Sequence, residues 1–246
     1  MTNYDPTIVI GDSMAYMLGC ADESFDAIVT DPPYNLGKGD WDTFKTDAHF
    51  YEWLKPYLME AYRLLKPTGF LAAFAATNKA RHVQAILEDD LGMIEQNWIV
   101  WHRVQGGNNG RVFTRRHETI LLYSKTDNPS FDKEATKEPR QAANVRNYGG
   151  KTYDSKNMSD VWYIPGITSQ SDERTDHPTQ KPLALMKRLV SVCCPVDGVI
   201  LDPFGGSGTT ALAAMQLHRH SVYCEKDPAF ADIAKDRFTV RTLIPA

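Results

Sequence analysis

Short apolar runs alternate with longer stretches of helical periodicity along most of the chain. The runs predict strands at Thr7–Ile10, Asp26–Thr30, Phe70–Ala76, Asn97–Trp101, Thr119–Tyr123, Val199–Leu201 and Ser221–Cys224. Helices are expected over Asp47–Leu65, Asn78–Glu88, Pro182–Cys194, Thr209–Leu217 and Pro228–Val240. In the first helix Phe50, Trp53, Leu54, Tyr57, Leu58, Ala61 and Leu64 recur at helical spacing, and all seven are assigned to the core. Alternation of this kind implies βα units and a mostly parallel sheet, an α/β fold. The periodicity vanishes over residues 125–176, where Asn, Asp, Gly, Ser, Lys and Pro dominate and only scattered aromatics remain. So long a stretch without pattern inside a domain marks a functional insertion or disorder. The expected organisation is one domain over 1–246, with the irregular insertion 125–176 inside it.

Composition narrows the class. The 246 residues are 42% hydrophobic and 24% charged, within the globular range. Four cysteines, two of them adjacent at Cys193 and Cys194, offer neither a disulfide scaffold nor a C-x-x-C metal pair. His218-Arg219-His220 resembles a metal-binding pair but is read as surface, so no metal site is expected. No apolar run reaches the roughly 18 residues of a spanning helix, and the N-terminus is polar. A reduced, cytoplasmic setting without a membrane role is the expectation.

Charge is uneven. The net charge is −4, yet residues 103–151 carry ten basic against five acidic side chains. A basic surface on an acidic body can meet a polyanion, because phosphate contacts act within a Debye length. An ordinary solvated loop would look the same.

Two motifs carry chemistry. Asp31-Pro32-Pro33-Tyr34 stands at the C-terminal end of a buried strand, the edge where open α/β sheets bind ligands. Consecutive prolines stiffen the backbone and leave carbonyls unpaired. The motif thus offers the Asp31 carboxylate and the Pro32 carbonyl as fixed acceptors beside an aromatic ring. An aryl amine is a poor nucleophile because its lone pair is delocalised. Two acceptors holding its N–H bonds favour a tetrahedral nitrogen, and a stacked ring adds about 1–3 kcal/mol per base. A plain proline turn is the alternative.

The second motif runs from a strand through Asp202-Pro203-Phe204-Gly205-Gly206-Ser207-Gly208-Thr209-Thr210 into a helix, and the following strand ends in Glu225. Glycines allow a tight turn, and an acid at the next strand tip can hold ribose hydroxyls. No lysine follows the last glycine, which argues against a P-loop, and the G-x-G-x-x-G spacing is missing. Asp202 puts negative charge where a dinucleotide would carry pyrophosphate. It suits instead a nucleoside cofactor with an ammonium group.

These residues resemble the amino-group DNA methyltransferases that act on adenine N6 or cytosine N4. Asp31–Tyr34 matches their catalytic tetrapeptide and Asp202–Thr210 their S-adenosylmethionine loop. His177-Pro178-Thr179-Gln180-Lys181-Pro182 is similar to the segment that closes over the cofactor's methionine carboxylate, which implicates Thr179 and Lys181. Arg116–Leu121, ending at Ser124-Lys125, also has a family look. The catalytic motif precedes the cofactor loop, as in the circularly permuted β class. The resemblance implies a Rossmann-like methyltransferase fold with a mostly parallel seven-stranded sheet and one antiparallel strand. Its last strands would then be completed by Thr7–Ile10, placing Asp12 where it reaches the cofactor adenine or simply caps a helix.

It further implies a catalytic set of Asp31, Pro32, Pro33 and Tyr34 acting on a base flipped out of double-stranded DNA. The implied cofactor set is Asp12, Thr179, Lys181, Asp202, Phe204, Gly205, Gly206, Ser207, Gly208, Thr209 and Glu225. Aspartate at the first motif position resembles the adenine-N6 members. Bases would be read by Gln105–Arg116 or by the insertion, with Arg140, Gln141, Asn144, Arg146, Asn147 and Asn157 as candidates. A homodimer and a cognate restriction endonuclease are possible partners on this resemblance.

Overall fold

The computed structural model describes residues 3–103, 110–111, 113–139, 146–148, 151–153 and 155–239. The chain opens with β1 (Thr7–Ile10), α1 (Ser13–Leu18), β2 (Phe25–Thr30), α2 (Asp47–Leu64) and β3 (Leu65–Ala75). Next come α3 (Ala80–Ala85), prolonged by a π-type turn at Ile86–Asp90, then β4 (Ile94–His102) and β5 (His117–Ser124). The insertion carries β6 (Lys137–Pro139), β7 (Arg146–Tyr148), β8 (Lys151–Tyr153), β9 (Ser155–Asn157) and β10 (Val161–Tyr163). After it follow α4 (Leu183–Cys193), β11 (Val199–Asp202), α5 (Thr209–Gln216), β12 (His220–Glu225) and α6 (Pro228–Thr239).

All seven expected strands form, and they lie in one sheet of order β1-β12-β11-β2-β3-β5-β4-β10. Each strand of that sheet runs parallel to its neighbours except β5, which is antiparallel to both β3 and β4. The sheet therefore has eight strands, one more than expected. The addition is β10, a piece of the insertion that pairs parallel to β4. Within the insertion β6 also pairs with β9, and β7 with β8. Among its described residues the stretch expected to be irregular thus holds five strands of three residues, too short to leave a period in the sequence. Arg140, Gln141, Asn144 and residues 105–109 and 112 of the proposed base-reading segments lie outside the described residues.

Both faces of the sheet are covered, which explains why β2 reads as a nearly unbroken apolar run. One core packs Phe50, Leu54, Leu58 and Leu64 of α2 against Ile28, Leu71 and Leu121. Thr46 caps this helix, its hydroxyl accepting from His49 N at 3.1 Å. On the opposite face Leu185, Met186 and Leu189 of α4 pack against Val29, Phe74 and Ile120. Trp162 joins that core at 5% exposure, with Arg188 over its ring at 5.4 Å. Trp101 Nε1 donates to Ile164 O at 2.8 Å. These two tryptophans fasten the returning end of the insertion to the sheet. No described helix is long and apolar enough to cross a membrane.

Candidate active site

Four neighbouring parallel strands end in acids. Asp12 follows β1 by two residues, Glu225 closes β12, Asp202 closes β11 and Asp31 follows β2. Their tips open on one cavity of about 700 Å³, walled by Asp12, Asp31, Asp202 and Glu225 with the Phe204–Ser207 loop, Thr179 and Lys181. Thr209 also lines it, whereas Pro32, Tyr34 and Gly208 do not. Two motifs some 170 residues apart in sequence meet because β2 and β11 are neighbours in the sheet.

The glycines of the loop are dictated by protein neighbours. A Cβ on Gly205 would lie 2.2 Å from two ring carbons of Tyr223. Gly208 takes φ +73° as it turns into α5, and a Cβ there would press on Phe238 and Ala234. Glu225 fixes the loop by accepting from Gly206 N and Asp227 N, each at 2.8 Å. Arg237 of α6 donates to Ser207 O at 2.6 Å and to Thr209 Oγ1 at 2.8 Å.

Asp202 is 5% exposed, and among the described residues no cation pairs with it. Burial pushes its carboxyl up to about 7, although hydrogen bonds from Thr210 and Phe204 N pull the other way. Burial likewise raises Glu225. A buried carboxylate facing a cavity without a counter-ion is a fitting place for a ligand ammonium. Asp12 caps α1, one of its two expected roles, and also lines the cavity. Its Oδ1 caps α1 by accepting from Met14 N at 2.9 Å, and it also accepts from Tyr57 Oη at 3.2 Å on the cavity wall.

Beside the loop, Asp31 is held from two sides. Tyr34 Oη donates to Oδ1, and Lys181 Nζ lies 2.7 Å from Oδ2. Lys181 also reaches Glu118 Oε2 at 3.2 Å, and sits 5.5 and 5.2 Å from the ring centroids of Tyr34 and Phe74. Burial raises the Asp31 carboxyl, while Lys181 and the Tyr34 hydroxyl lower it. Burial alone would lower the Lys181 ammonium, but Asp31 and Glu118 outweigh it and hold it up. The Tyr34 hydroxyl is raised first by burial and then by Asp31, so it stays a donor. Lys181, assigned from the sequence to the cofactor, lines the cavity and also pairs with Asp31 and Glu118, because the segment before α4 brings it between β2 and β5.

The loop after Tyr34 is tied down by Asp42, which is 2% exposed. Its carboxylate accepts from Tyr34 N at 2.6 Å, Leu36 N at 3.0 Å and Lys38 N at 3.1 Å. Next to it Trp41 stacks on His177 at 6.5 Å, and Phe230 meets the same imidazole edge-on at 4.3 Å. Burial drives His177 down to about 4, so it is neutral at ordinary pH.

Several site residues went unassigned in the sequence. Trp53 and Tyr57 pack against the core as expected and also form an aromatic wall with Phe204, at 5.7 and 5.1 Å. They are half-buried in the middle of α2, beside the fully buried Leu54 and Leu58. Trp41, Phe44 and His177 also line the cavity. Glu118 could have been anticipated, since a polar residue opening an antiparallel strand falls at the same edge as the parallel tips.

Acidic strand tips, an aromatic wall and an uncompensated Asp202 fit a nucleoside bearing cationic groups, as S-adenosylmethionine does. The DNA methylase family whose members act on N6 or N4 matches residues 25–236. The type II methyltransferase M.HpaI of Haemophilus parainfluenzae is 32% identical over 238 residues, spanning 95% of this chain and 74% of that protein. Among solved structures, the cytosine-N4-specific PvuII DNA methyltransferase has the same fold. It aligns with TM-score 0.78 over 96% of this chain and 87% of its own, at 18% identity. The Thermus thermophilus protein TTHA0409, complexed with S-adenosylmethionine, aligns with TM-score 0.67 at 25% identity, covering 96% of this chain and 95% of that one. The chain belongs to the N6/N4 DNA methylase family, S-adenosylmethionine-dependent methyltransferases of amino groups in DNA.

Proposed function

We propose that this chain is a site-specific adenine-N6 methyltransferase acting on a base extruded from double-stranded DNA. The observation that carries the reading is that the Asp31 carboxylate opens on the same cavity as the Gly-rich loop. Acceptor and methyl donor can therefore share one chamber.

Asp202 would hold the cofactor's ammonium, Glu225 its ribose, and Asp12 with Tyr57, Trp53 and Phe204 its adenine. When bound, S-adenosylmethionine supplies the methyl group on an electrophilic sulfonium. The chain's own work is positional and electrostatic. Asp31 and the Pro32 carbonyl would accept the two N–H bonds of the target amine. Positive charge developing on that nitrogen then lies against a carboxylate. Tyr34, its ring held by the hydroxyl bond to Asp31, would give the extruded base an aromatic face. Extrusion costs a few kcal/mol, which contacts in the pocket must offset. Aspartate at position 31, as in the adenine-N6 members the sequence resembles, supports adenine over cytosine. The strand order, with β1 beside β12, supports the circularly permuted β class. Resemblance to a type II methyltransferase supports a restriction endonuclease as partner.

The test is methyl transfer from labelled S-adenosylmethionine to unmethylated genomic DNA, with the digested nucleosides identified. N6-methyladenine is expected. Asp31→Asn should lower the transfer rate about a hundredfold or more while leaving cofactor affinity nearly unchanged. Label in N4-methylcytosine would overturn the choice of base. Absence of label in DNA from a cofactor-binding protein would overturn the reading altogether.

A further inference from the structure

Asp31 is the end of a chain of alternating charges. Arg103 Nη1 lies 3.0 Å from Glu118 Oε1, Glu118 Oε2 lies 3.2 Å from Lys181 Nζ, and Lys181 Nζ lies 2.7 Å from Asp31 Oδ2. The inner members are shielded, with side-chain exposures of 8% for Lys181, 14% for Glu118 and 20% for Asp31. The fold brings them together in a specific way. Glu118 is the second residue of β5, the antiparallel strand, so it stands at the edge where β2 delivers Asp31.

A lysine paired with Asp31 alone would neutralise the acceptor that the target amine needs. An ammonium divided between two carboxylates screens Asp31 less than one paired with it alone, and its direction is fixed. Arg103 in turn prevents Glu118 from becoming an uncompensated buried charge. We propose that Glu118 is a positioning residue for methyl transfer. It holds Lys181 so that Lys181 orients the Asp31 carboxylate without cancelling its charge. This inference rests on the methyltransferase reading above, in which Asp31 accepts from the target amine.

A double-mutant cycle tests it. Single-turnover transfer rates are measured for the full chain as wild type, E118Q, K181M and E118Q/K181M, with cofactor affinity by calorimetry. E118Q should slow transfer about tenfold or more while the cofactor Kd stays within about threefold, and the double variant should be no slower than K181M. E118D, which keeps the charge on a shorter arm, should recover part of the rate. Transfer at the wild-type rate in E118Q, or losses that multiply in the double variant, would overturn the proposal. Should E118Q fail to bind cofactor, R103M takes its place, because it removes the partner that fixes the Glu118 carboxylate and so loosens its hold on Lys181. R103M should slow transfer in the wild type but not in a K181M background, and a slowing of equal size in both would overturn the proposal. If wild type transfers no methyl to DNA, the functional reading fails instead, so the two failures are distinguishable.

Discussion

Replacing Asp202 with asparagine should make the ligand-free protein more stable and the cofactor complex weaker, each with a defined pH dependence. Burial lifts this carboxyl from 3.8 to about 7. At about 1.4 kcal/mol per tenfold change, the ionised form costs the folded state about 4 kcal/mol. The native state binds the extra proton between pH 4 and 7, so the penalty is absent below that window, grows through it and is complete above 7. Asparagine keeps an acceptor for Phe204 N, now 3.2 Å from Asp202 Oδ1, but brings an amide N–H₂ that must find partners. About half of the penalty should be recovered. For a chain of this size about 2 kcal/mol corresponds to a Tm higher by about 4–8 °C at pH 8.5. The difference should shrink towards zero at pH 5, where wild-type Asp202 is already protonated. Affinity for S-adenosylmethionine moves the opposite way, since removing one partner of a buried charge pair costs about 2–5 kcal/mol, at least about thirtyfold. In the wild type affinity should fall as pH drops below 7, and in D202N that dependence should be lost. Scanning calorimetry without ligand and titration calorimetry with it, at pH 5, 7 and 8.5, decide the matter. A D202N protein less stable than wild type at pH 8.5, or one that binds the cofactor equally well, would refute the assignment of Asp202 as an uncompensated acceptor for a cation.

Two further substitutions separate packing from chemistry. Gly205→Ala places a Cβ 2.2 Å from the Tyr223 ring, and that ring is fixed by its hydroxyl bond to Gly206 O at 2.7 Å. It should cost about 2–3 kcal/mol in urea unfolding and abolish cofactor binding, whereas undiminished stability would show that the ring moves aside freely. Trp162→Ala removes the buried anchor of the insertion and should cost about 3–5 kcal/mol. DNA methylation should fall while cofactor affinity stays, and a parallel loss of both would place Trp162 in the support of the cofactor site.

The sequence was most legible where many residues share one environment. Seven strands and five helices follow from apolar runs and helical spacing, because each element buries several side chains. The shorter elements escaped for the converse reason. In β10 only Trp162 is buried, between exposed Val161 and Tyr163, and one inward residue makes no period. In α1 only Ser13 and Met17 are buried, while Leu18 is 64% exposed. The two motifs were readable because proline and glycine encode backbone geometry directly. Gly205 nevertheless owes its identity to Tyr223, eighteen positions away, which no local reading supplies.

The site residues that escaped share a different cause, namely that their roles depend on which strand tips are neighbours. Trp53 and Tyr57 follow the same helical spacing as Leu54 and Leu58, and nothing in that spacing tells that they also face Phe204 on the cavity wall. Glu118 precedes an apolar run just as many solvent-facing acids do. Only the antiparallel pairing of β5 with β3 turns the start of that strand towards Asp31. Only the short approach to α4 then drops Lys181 between the two carboxylates. A cation placed there serves both acids, which is the basis of the positioning role proposed for Glu118. Asp202, one strand away, has no such partner among the described residues and carries its burial penalty until a cationic ligand arrives. The same sheet edge thus holds one carboxylate paired within the protein and another that faces the cavity without a cationic partner among the described residues. That division of charge suits an enzyme which must hold a neutral amine and a cationic donor side by side.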